Sequence, residues 1–272
     1  MVLFPNCKIN LGLNITRKRA DGYHDLETVF YPLHVKDALE VIPATETDFQ
    51  ISGLPVDGNI DDNLCLKAFK LLQKDFPGLP PVSIYLYKAI PLGGGLGGGS
   101  ADGAFMLSML NKQFNLNLSE HQLIDYALKL GSDCPFFIIN TPCFATGRGE
   151  NLMRVKVDLS DYKIVLVNPR IHVSTREAFA KLSPVVPAKS IREIISQPIS
   201  TWKDELVNDF EKHVFEQFPA IKEIKDRLYN AGAAYASMTG SGSSVYGIFE
   251  VNQKFDTRFP ERYFCKSIPL SS

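Results

Sequence analysis

The chain has 272 residues, of which 45% are hydrophobic, and its formal net charge is −1. This length suits one large domain or two modest ones, and the composition is ample for a buried core. The near-zero charge excludes a general electrostatic field for nucleic acid or a membrane surface. An anionic ligand must therefore be held by a local cluster of donors.

Cysteine spacing and the N-terminus narrow the class of protein further. The five cysteines form no C-x-x-C pair and no Cys/His spacing of a zinc site, so we interpret them as reduced thiols. The first residues lack the basic start and apolar core of a signal peptide, and no apolar run approaches the roughly 20 residues of a membrane span. The expected location is the cytoplasm.

The first predicted element is a strand over residues 8–15, in which apolar residues alternate with polar residues and glycine. This period is typical of a half-buried strand, with Lys8, Asn10 and Asn14 together on the polar face. The elements predicted next are a turn at Asp21-Gly22, antiparallel strands over 28–32 and 39–42, and a helix over 64–76.

A strand over 82–87 leads into the glycine-rich segment PLGGGLGGGSADG, and the apolar density of residues 104–114 predicts a buried helix after it. Ser119 and Gln122 form a capping-box signature for a helix that ends at Gly131, just before Asp133.

The second half of the chain predicts another set of strands and helices. Its elements are the strand KIVLVNP from residue 163, a helix over 175–182, two amphipathic stretches between 204 and 230, and the hairpin AYASMTGSGSSVYGIFE. We place a domain boundary where the pattern changes, giving domains 1–155 and 156–272.

Six of the eleven residues from Pro91 to Ala101 are glycine, which costs backbone entropy unless a ligand must approach the main chain closely. Consecutive N–H groups leading into a helix N-terminus form a donor site for phosphate. A flexible turn is the alternative.

The type of phosphate loop is a separate question, since Gly93-x-Gly95-x-x-Gly98 matches the dinucleotide fingerprint. The strand before it alternates in polarity, whereas the first strand of a dinucleotide fold is nearly continuously apolar. A Walker loop is excluded because Gly-Lys-Ser/Thr does not occur, and the H-R-D and D-F-G motifs of protein kinases are missing as well.

The segment P-x-x-x-G-L-G-x-G-S resembles the central ATP loop of the galactokinase, homoserine kinase, mevalonate kinase and phosphomevalonate kinase superfamily. The strand with Lys8 and the segment MTGSGSSVYGIF occupy the places of its first and third motifs. Within it, PNCKINLGLNI, RADGYHDLETVF, PLGGGLGGGSAD and GSDCPFF are similar to the kinases that act on 4-diphosphocytidyl-2-C-methylerythritol. One departure is Ala101-Asp102, where relatives often carry a second Ser and an Asn.

The resemblance implies an α+β, two-domain small-molecule kinase fold. The N-terminal domain would be like domain 2 of ribosomal protein S5 and the C-terminal domain ferredoxin-like, with the active site between them. It also implies a cytoplasmic enzyme that moves the γ-phosphoryl group of ATP onto the 2-hydroxyl of a cytidine diphosphate-linked polyol, in the non-mevalonate isoprenoid pathway. Nucleic acid and membranes are not expected partners.

Two catalytic residues follow from the resemblance. Asp133 would accept or orient the acceptor hydroxyl, and Lys8 would lie beside it, where a cation lowers a carboxylate pKa. From the residues alone, Asp133 could instead cap the next helix, and Lys8 could be a solvated charge.

The resemblance also assigns binding residues. The substrate side would consist of Asn10, Tyr23, His24, Thr175 and Phe179, although an ordinary aromatic pair and core packing of Phe179 are alternatives. The ATP side would consist of Asn63, Lys88, Pro91, Leu92, Gly93, Gly94, Gly95, Leu96, Gly97, Gly98, Gly99, Ser100 and Ala101.

The turn Gly240, Ser241, Gly242 and Ser243 would bound the phosphates, unless it is a plain hairpin turn. Asp21, Asp61 and Asp62 are interpreted as surface charge. Mg²⁺ would arrive with ATP, without a dedicated protein metal site.

Three rivals remain from the residues: a nucleotide-bound sensor that has lost catalysis, another kinase of the superfamily acting on homoserine or mevalonate, and a nicotinamide oxidoreductase. Retention of Lys8, Ser100 and Asp133 argues against the first, and the Tyr23-His24 pair argues against the second.

Overall fold

A computed structural model describes residues 1–56, 58–255 and 258–270. The strands in chain order are β1 (Val2–Leu3), β2 (Asn6–Lys18), β3 (His24–Lys36), β4 (Ala38–Pro43), β5 (Asp48–Gly53), β6 (Val82–Lys88), β7 (Cys143–Thr146), β8 (Asn151–Arg154), β9 (Tyr162–Asn168), β10 (Tyr235–Met238), β11 (Val245–Glu250) and β12 (Phe264–Pro269). The α-helices are α1 (Leu64–Asp75), α2 (Gly98–Gln113), α3 (Glu120–Leu130), α4 (Cys134–Ile139), α5 (Thr175–Ala180), α6 (Ile191–Ile195), α7 (Trp202–Glu205), α8 (Glu211–Gln217) and α9 (Pro219–Asn230). In the part of the chain that the structure describes, no helix is both long and apolar enough to cross a membrane.

The chain forms two compact units, each assembled from separated stretches. The first unit contains residues 1–8, 32–92 and 97–141, and the second contains 9–31, 93–96 and 142–272, apart from those not described. Each unit combines separated stretches of the chain, whereas the predicted domains divide the chain at one boundary. The domains 1–155 and 156–272 therefore stay a prediction.

The first unit carries a four-stranded sheet in the order β1-β4-β6-β5. Only the β5–β6 pair is parallel among its recorded pairs. Buried residues alternate with more exposed ones along β6, which confirms the predicted single exposed face. Because the first strand of a dinucleotide fold is buried on both faces, this pattern also counts against that fold.

Helices α1 to α4 pack against one another in the first unit. The capping box of Ser119 and Gln122 starts α3, and Gly131 ends it, as predicted. Helix α2 corrects the predicted start at residue 104, since it begins at Gly98, inside the glycine-rich segment. The small residues 98–103 give little helix signal in the sequence, and the packing of α2 against α1 makes them helical. A Cβ on Gly103 would stand 2.8 Å from Leu64 Cβ, so the two helices pack very closely.

The second unit contains an antiparallel sheet in the order β10-β11-β9-β12. If the four strands of this sheet are numbered along the chain, their spatial order from the β12 edge is 4-1-3-2. This is the strand order of the predicted ferredoxin-like domain. The predicted hairpin is present as β10 and β11, and α9 packs on both strands. Apolar residues of β9, β10, β11, α8 and α9 share one core.

A second sheet, in the order β2-β3-β7-β8, lies mostly in the second unit. The predicted half-exposure of β2 is wrong, because both of its faces are buried over residues 6–15. Lys8, Asn10 and Asn14 are each less than 7% exposed. Their polar groups have partners: Lys8 pairs with a carboxylate, Asn10 with hydroxyl groups and Asn14 with Asp209. A polar strand face therefore marks buried hydrogen bonds here and not solvent.

Candidate active site

Lys8 and Asp133 form an ion pair within the first unit. The Nζ of Lys8 lies 3.4 Å from Asp133 Oδ2, and the Lys8 side chain is 4% exposed whereas that of Asp133 is 36% exposed. β2 fixes the lysine, and the turn after α3 presents the aspartate. The cation is thus held inside while the carboxylate can be reached from outside.

Asp133 occupies the N-cap position of α4, as the structural alternative predicted. Its backbone is already helical, with φ −84° and ψ −17°, and its side chain makes no capping hydrogen bond. An N-cap residue stabilises a helix mainly through such a bond. The position therefore does not account for the carboxylate, which is directed to Lys8.

The glycine-rich segment enters α2 within the first unit through Gly97. This residue is left-handed, with φ +70°, and a Cβ on it would stand 2.9 Å from Phe137 Cζ and 3.3 Å from Lys8 Cε. Only glycine fits such a position without strain. Gly98, Gly99 and Ser100 begin the first turn of α2, and their backbone N–H groups precede the first intrahelical bond, from Ala101 N–H to Gly97 O at 2.9 Å. N–H groups at this position of a helix can bind an anion.

Ser100 and Cys134 connect that first turn with the aspartate segment. Burial raises the pKa of the Cys134 thiol to about 12, while a hydrogen bond with the Ser100 side chain opposes the shift. The thiol is therefore neutral near pH 7. At the start of the glycine-rich segment, Pro91 is buried and Leu92 is 41% exposed.

The two side chains predicted on the adenosine side have partners inside the first unit. Asn63 caps α1, its Oδ1 accepting from the backbone N–H of Cys65 at 2.9 Å. Lys88 is 2% exposed and its ammonium donates to the carboxylates of Asp37 and Asp102. Contact of either side chain with ATP stays a prediction.

The tip of the glycine-rich segment, residues 93–96, belongs to the second unit and lies against the turn after β10. A Cβ on Gly95 would stand 2.1 Å from the carbonyl oxygen of Thr239. The backbone N–H of Ser244 donates to Gly94 O at 3.2 Å, and Asn168 Nδ2 donates to Ser244 Oγ at 2.9 Å. The second and third predicted motifs are thereby in direct contact.

Asn208 supports the turn of the third motif, residues 239–244. Its side-chain amide donates to Met238 O at 2.8 Å and to Gly240 O at 2.9 Å. Gly240 and Gly242 both have positive φ, and Ser243 is buried. The Ser241 hydroxyl lies 3.0 Å from that of Thr175. This support from another segment is more than a plain hairpin turn requires.

Tyr23 is 56% exposed, with the guanidinium carbon of Arg148 5.0 Å from its ring centroid. Its backbone N–H donates to Asp21 Oδ1 at 3.1 Å, and this bond is the main cause that lowers the pKa of Asp21. Asp21 was predicted to be surface charge, and its side chain is 47% exposed and paired with Arg19 at 3.1 Å.

His24 stacks on Phe179, with ring centroids 5.1 Å apart and an interplanar angle of 27°. Phe179 also meets Phe210 edge to face and packs on the core of the second unit, so the core-packing alternative holds for part of its surface. Burial, aided by the charge of Lys18, lowers the pKa of His24. The imidazole is therefore neutral at pH 7.

Asn10 is 2% exposed and joins β2 to the third-motif turn. Its Nδ2 donates to Thr28 Oγ1 at 3.0 Å, and its Oδ1 accepts from Thr239 Oγ1 at 3.2 Å. These bonds place the amide beside the turn, and a direct contact with substrate stays a prediction.

Several supporting residues were not singled out from the sequence, because nothing in their local sequence distinguishes them. They are Asp37, Arg148, Asn168, Asn208 and Thr239. Asp102 was noted only as a departure from relatives, although a charge in an otherwise small and apolar helix start is a signal for a buried partner. Among the described residues, no group of three or more His, Cys, Asp or Glu could hold a metal ion.

Comparison with known proteins agrees with this geometry. The N-terminal domain model of the GHMP kinases matches residues 63–141, and their C-terminal domain model matches residues 190–258. The 4-diphosphocytidyl-2-C-methyl-D-erythritol kinase of Bacteroides fragilis is 53% identical over 269 residues, covering 97% of this chain and 98% of that protein. The enzyme of the same name from Bacteroides thetaiotaomicron is 56% identical over 254 residues, covering 92% of each chain.

Solved structures agree as well. A crystal structure of 4-(cytidine 5'-diphospho)-2C-methyl-D-erythritol kinase matches with a TM-score of 0.78 and 27% identity, covering 99% of both chains. The mevalonate kinase of Methanococcus jannaschii shares the fold, with a TM-score of 0.70 and 14% identity over 99% of this chain and 98% of that one. The predicted two-domain α+β kinase fold is confirmed, and the chain belongs to the GHMP kinases.

Proposed function

We propose that this protein transfers the γ-phosphoryl group of ATP to the 2-hydroxyl of 4-diphosphocytidyl-2-C-methyl-D-erythritol. The single observation that carries the proposal is the Lys8–Asp133 ion pair beside Gly97, in a chain whose full-length relatives bear the name of that kinase. The reaction supplies isoprenoid precursors by the non-mevalonate pathway.

Asp133 takes the role of base or hydroxyl orienter. Its carboxylate is reachable and is not engaged in capping α4. The buried ammonium of Lys8 holds the carboxylate in place at 3.4 Å and stabilises negative charge as the acceptor oxygen attacks phosphorus. Transfer is direct and in line, so no phosphoenzyme is needed.

The glycine-rich segment takes the triphosphate. The N–H groups of Gly98, Gly99 and Ser100 and the backbone near Gly97 donate to phosphate oxygens, aided by the dipole of α2. Gly93 to Leu96 and the turn from Gly240 to Ser243 supply further donors. Mg²⁺ would be held mainly by the phosphates and would neutralise part of their charge, with the oxygen atoms of Ser100 and Asp133 as the protein groups suited to it.

Tyr23, His24 and Phe179 take the cytosine base. An exposed tyrosine ring offers a stacking surface, and a neutral imidazole can both donate and accept a hydrogen bond at a base edge. Thr175 and Asn10 complete the substrate side.

The test is turnover of purified protein with Mg·ATP and three acceptors: the cytidyl substrate, homoserine and mevalonate. We expect ADP formation with the cytidyl substrate at a kcat/KM at least about 100-fold above the other two, because the base-binding contacts exist for one acceptor only. Phosphorus-31 NMR of the product should place the new phosphate on the 2-oxygen. Equal use of mevalonate or homoserine would overturn the proposed substrate.

A further inference from the structure

Three charged side chains of the first unit are buried together beneath the glycine-rich segment. Asp37, Lys88 and Asp102 are each at most 2% exposed. The Lys88 ammonium donates to Asp37 Oδ2 and, at 2.5 Å, to Asp102 Oδ2. Burial of three charges costs several kcal/mol per ion unless pairing and hydrogen bonds offset it, so such a cluster is more than the fold needs for stability alone.

Asp37 holds the chain that enters the segment. Its second carboxylate oxygen, Oδ1, accepts from the backbone N–H of Ala89 at 2.6 Å and of Ile90 at 2.8 Å. These residues immediately precede Pro91, where the segment begins.

Asp102 holds the chain that leaves the segment, since it lies in α2 just after Ala101. A Cβ on Gly98 would stand 3.5 Å from Lys88 Nζ and 3.0 Å from Ile90 Cγ2, so the ammonium lies directly beneath the first turn of α2. Through Lys88, the two carboxylates join both ends of the same segment.

We propose that Asp37, Lys88 and Asp102 are positioning residues that hold the two ends of the glycine-rich segment in the shape that binds the triphosphate of ATP. In this role Lys88 acts through the two carboxylates it pairs with and the backbone that they hold. This inference rests on the proposed function, in which the segment binds ATP.

The titratable groups of this cluster come from four places: Asp37 from the residue before β4, Lys88 from β6, Asp102 from α2 and Cys65 from α1. With both carboxylates ionised the three groups sum to −1, and the Cys65 thiol of α1 beside them is neutral because burial raises its pKa well above the ordinary value. Among the described residues, Asp102 Oδ1 has no hydrogen-bond partner. Removal of the single cation would leave two buried carboxyl groups beneath the loop without the ammonium that donates to both.

The test is Lys88→Met, which keeps an unbranched side chain one atom shorter and removes the charge. We expect the Kd and KM for ATP to rise roughly tenfold or more, with the KM for the cytidyl substrate and the kcat at saturating ATP within about threefold, because a mis-shaped loop weakens nucleotide binding first. Lys67→Met is the matched control, since its ion pair with Asp62 is exposed.

A rescue separates the electrostatic role from general damage. Adding Asp102→Asn to Lys88→Met removes one of the two buried carboxyl groups that lose their shared ammonium, so the double variant should bind ATP more tightly than Lys88→Met alone. If Lys88→Met does not fold, Asp37→Asn is measured instead, because its amide N–H groups would face the ammonium or the two backbone donors, and it should weaken ATP binding similarly.

Wild-type affinity for ATP in folded Lys88→Met or Asp37→Asn would overturn the inference, as would a double variant weaker than the single one. Direct measurement of ATP binding keeps this result apart from the proposed function. A wild-type protein that binds ATP but leaves the cytidyl substrate unphosphorylated would contradict the proposed function alone.

Discussion

The ammonium of Lys8 lies 3.4 Å from the carboxylate of Asp133, and the pair is one-sided: the lysine is buried in β2 while the aspartate remains reachable. Such an arrangement orients a carboxylate without enclosing it. It leads to a direct test of catalysis, because the charge of Asp133 can be removed without changing its size.

Asp133→Asn should lower kcat by roughly 100-fold or more, the usual contribution of a positioned acid–base group, while the Kd for ATP stays within a few-fold. Stability should change little, since Asp133 makes no capping hydrogen bond. Steady-state kinetics and thermal unfolding are the measurements. Asp61→Asn, an exposed aspartate paired with Lys70, is the control.

Lys8→Met should be similarly impaired, and the double variant with Asp133→Asn should be little worse than either single one, because groups that act as a unit are not additive. Near-normal kcat in folded Asp133→Asn would remove this residue from the mechanism.

Gly97→Ala should weaken ATP binding strongly. The added Cβ would meet the Phe137 ring at 2.9 Å, and the left-handed backbone at φ +70° costs roughly 1–2 kcal/mol for a residue with a Cβ. Gly97→Val should be more severe. Isothermal titration with ATP, beside circular dichroism to verify folding, measures the effect.

Gly58→Ala controls for backbone strain alone, since Gly58 also has positive φ but no described atom beyond its chain neighbours lies within 4 Å of its Cβ position. It should bind ATP as the wild type does. Wild-type affinity in folded Gly97→Ala would make the segment a structural turn and deprive the kinase proposal of its phosphate site.

His24→Ala should raise the KM for the cytidyl substrate at least about tenfold, since a buried base edge loses hydrogen bonds and Phe179 loses its stacked partner. The KM for ATP should change less than about twofold. His121→Ala, at a histidine whose side chain is 85% exposed on α3, should change neither. An effect of equal size on both substrates would contradict base recognition at His24.

Asp102 should make stability fall as pH rises. Burial raises the pKa of this carboxyl from 3.8 to about 7; the charge of Asp37 adds to the rise, and Lys88 opposes it. At a pH between 3.8 and about 7, the carboxyl of Asp102 is therefore protonated in the folded state and ionised in the unfolded chain. The resulting stabilisation is fully present below pH 3.8 and is lost as pH rises through about 7.

Urea unfolding of wild type and Asp102→Asn between pH 5 and pH 8 should test this. The wild-type free energy of unfolding should decline more steeply with pH than that of the variant, which has no proton to lose at this position. Parallel curves would mean that Asp102 does not titrate in this range.

Signals that extend over a few neighbouring residues were sufficient for much of the fold. The alternation along β6, the capping box of α3 and its end at Gly131, and the hairpin of β10 and β11 are all present as predicted. Four short motifs in order were sufficient for the family. Strand period, caps and turns arise from backbone geometry close in sequence, so the residues themselves specify them.

Tertiary structure decided what those signals leave open. The sequence of β2 does not tell whether its polar face meets water or partners, and the structure buries it. The pairing of Lys88 with Asp37, the ring of Tyr23 beside Arg148 and the fit of Gly95 against Thr239 each join segments far apart in the chain. Such contacts depend on strand register and on packing of whole elements, because a side chain's neighbours in space are set by the fold and not by its neighbours in sequence.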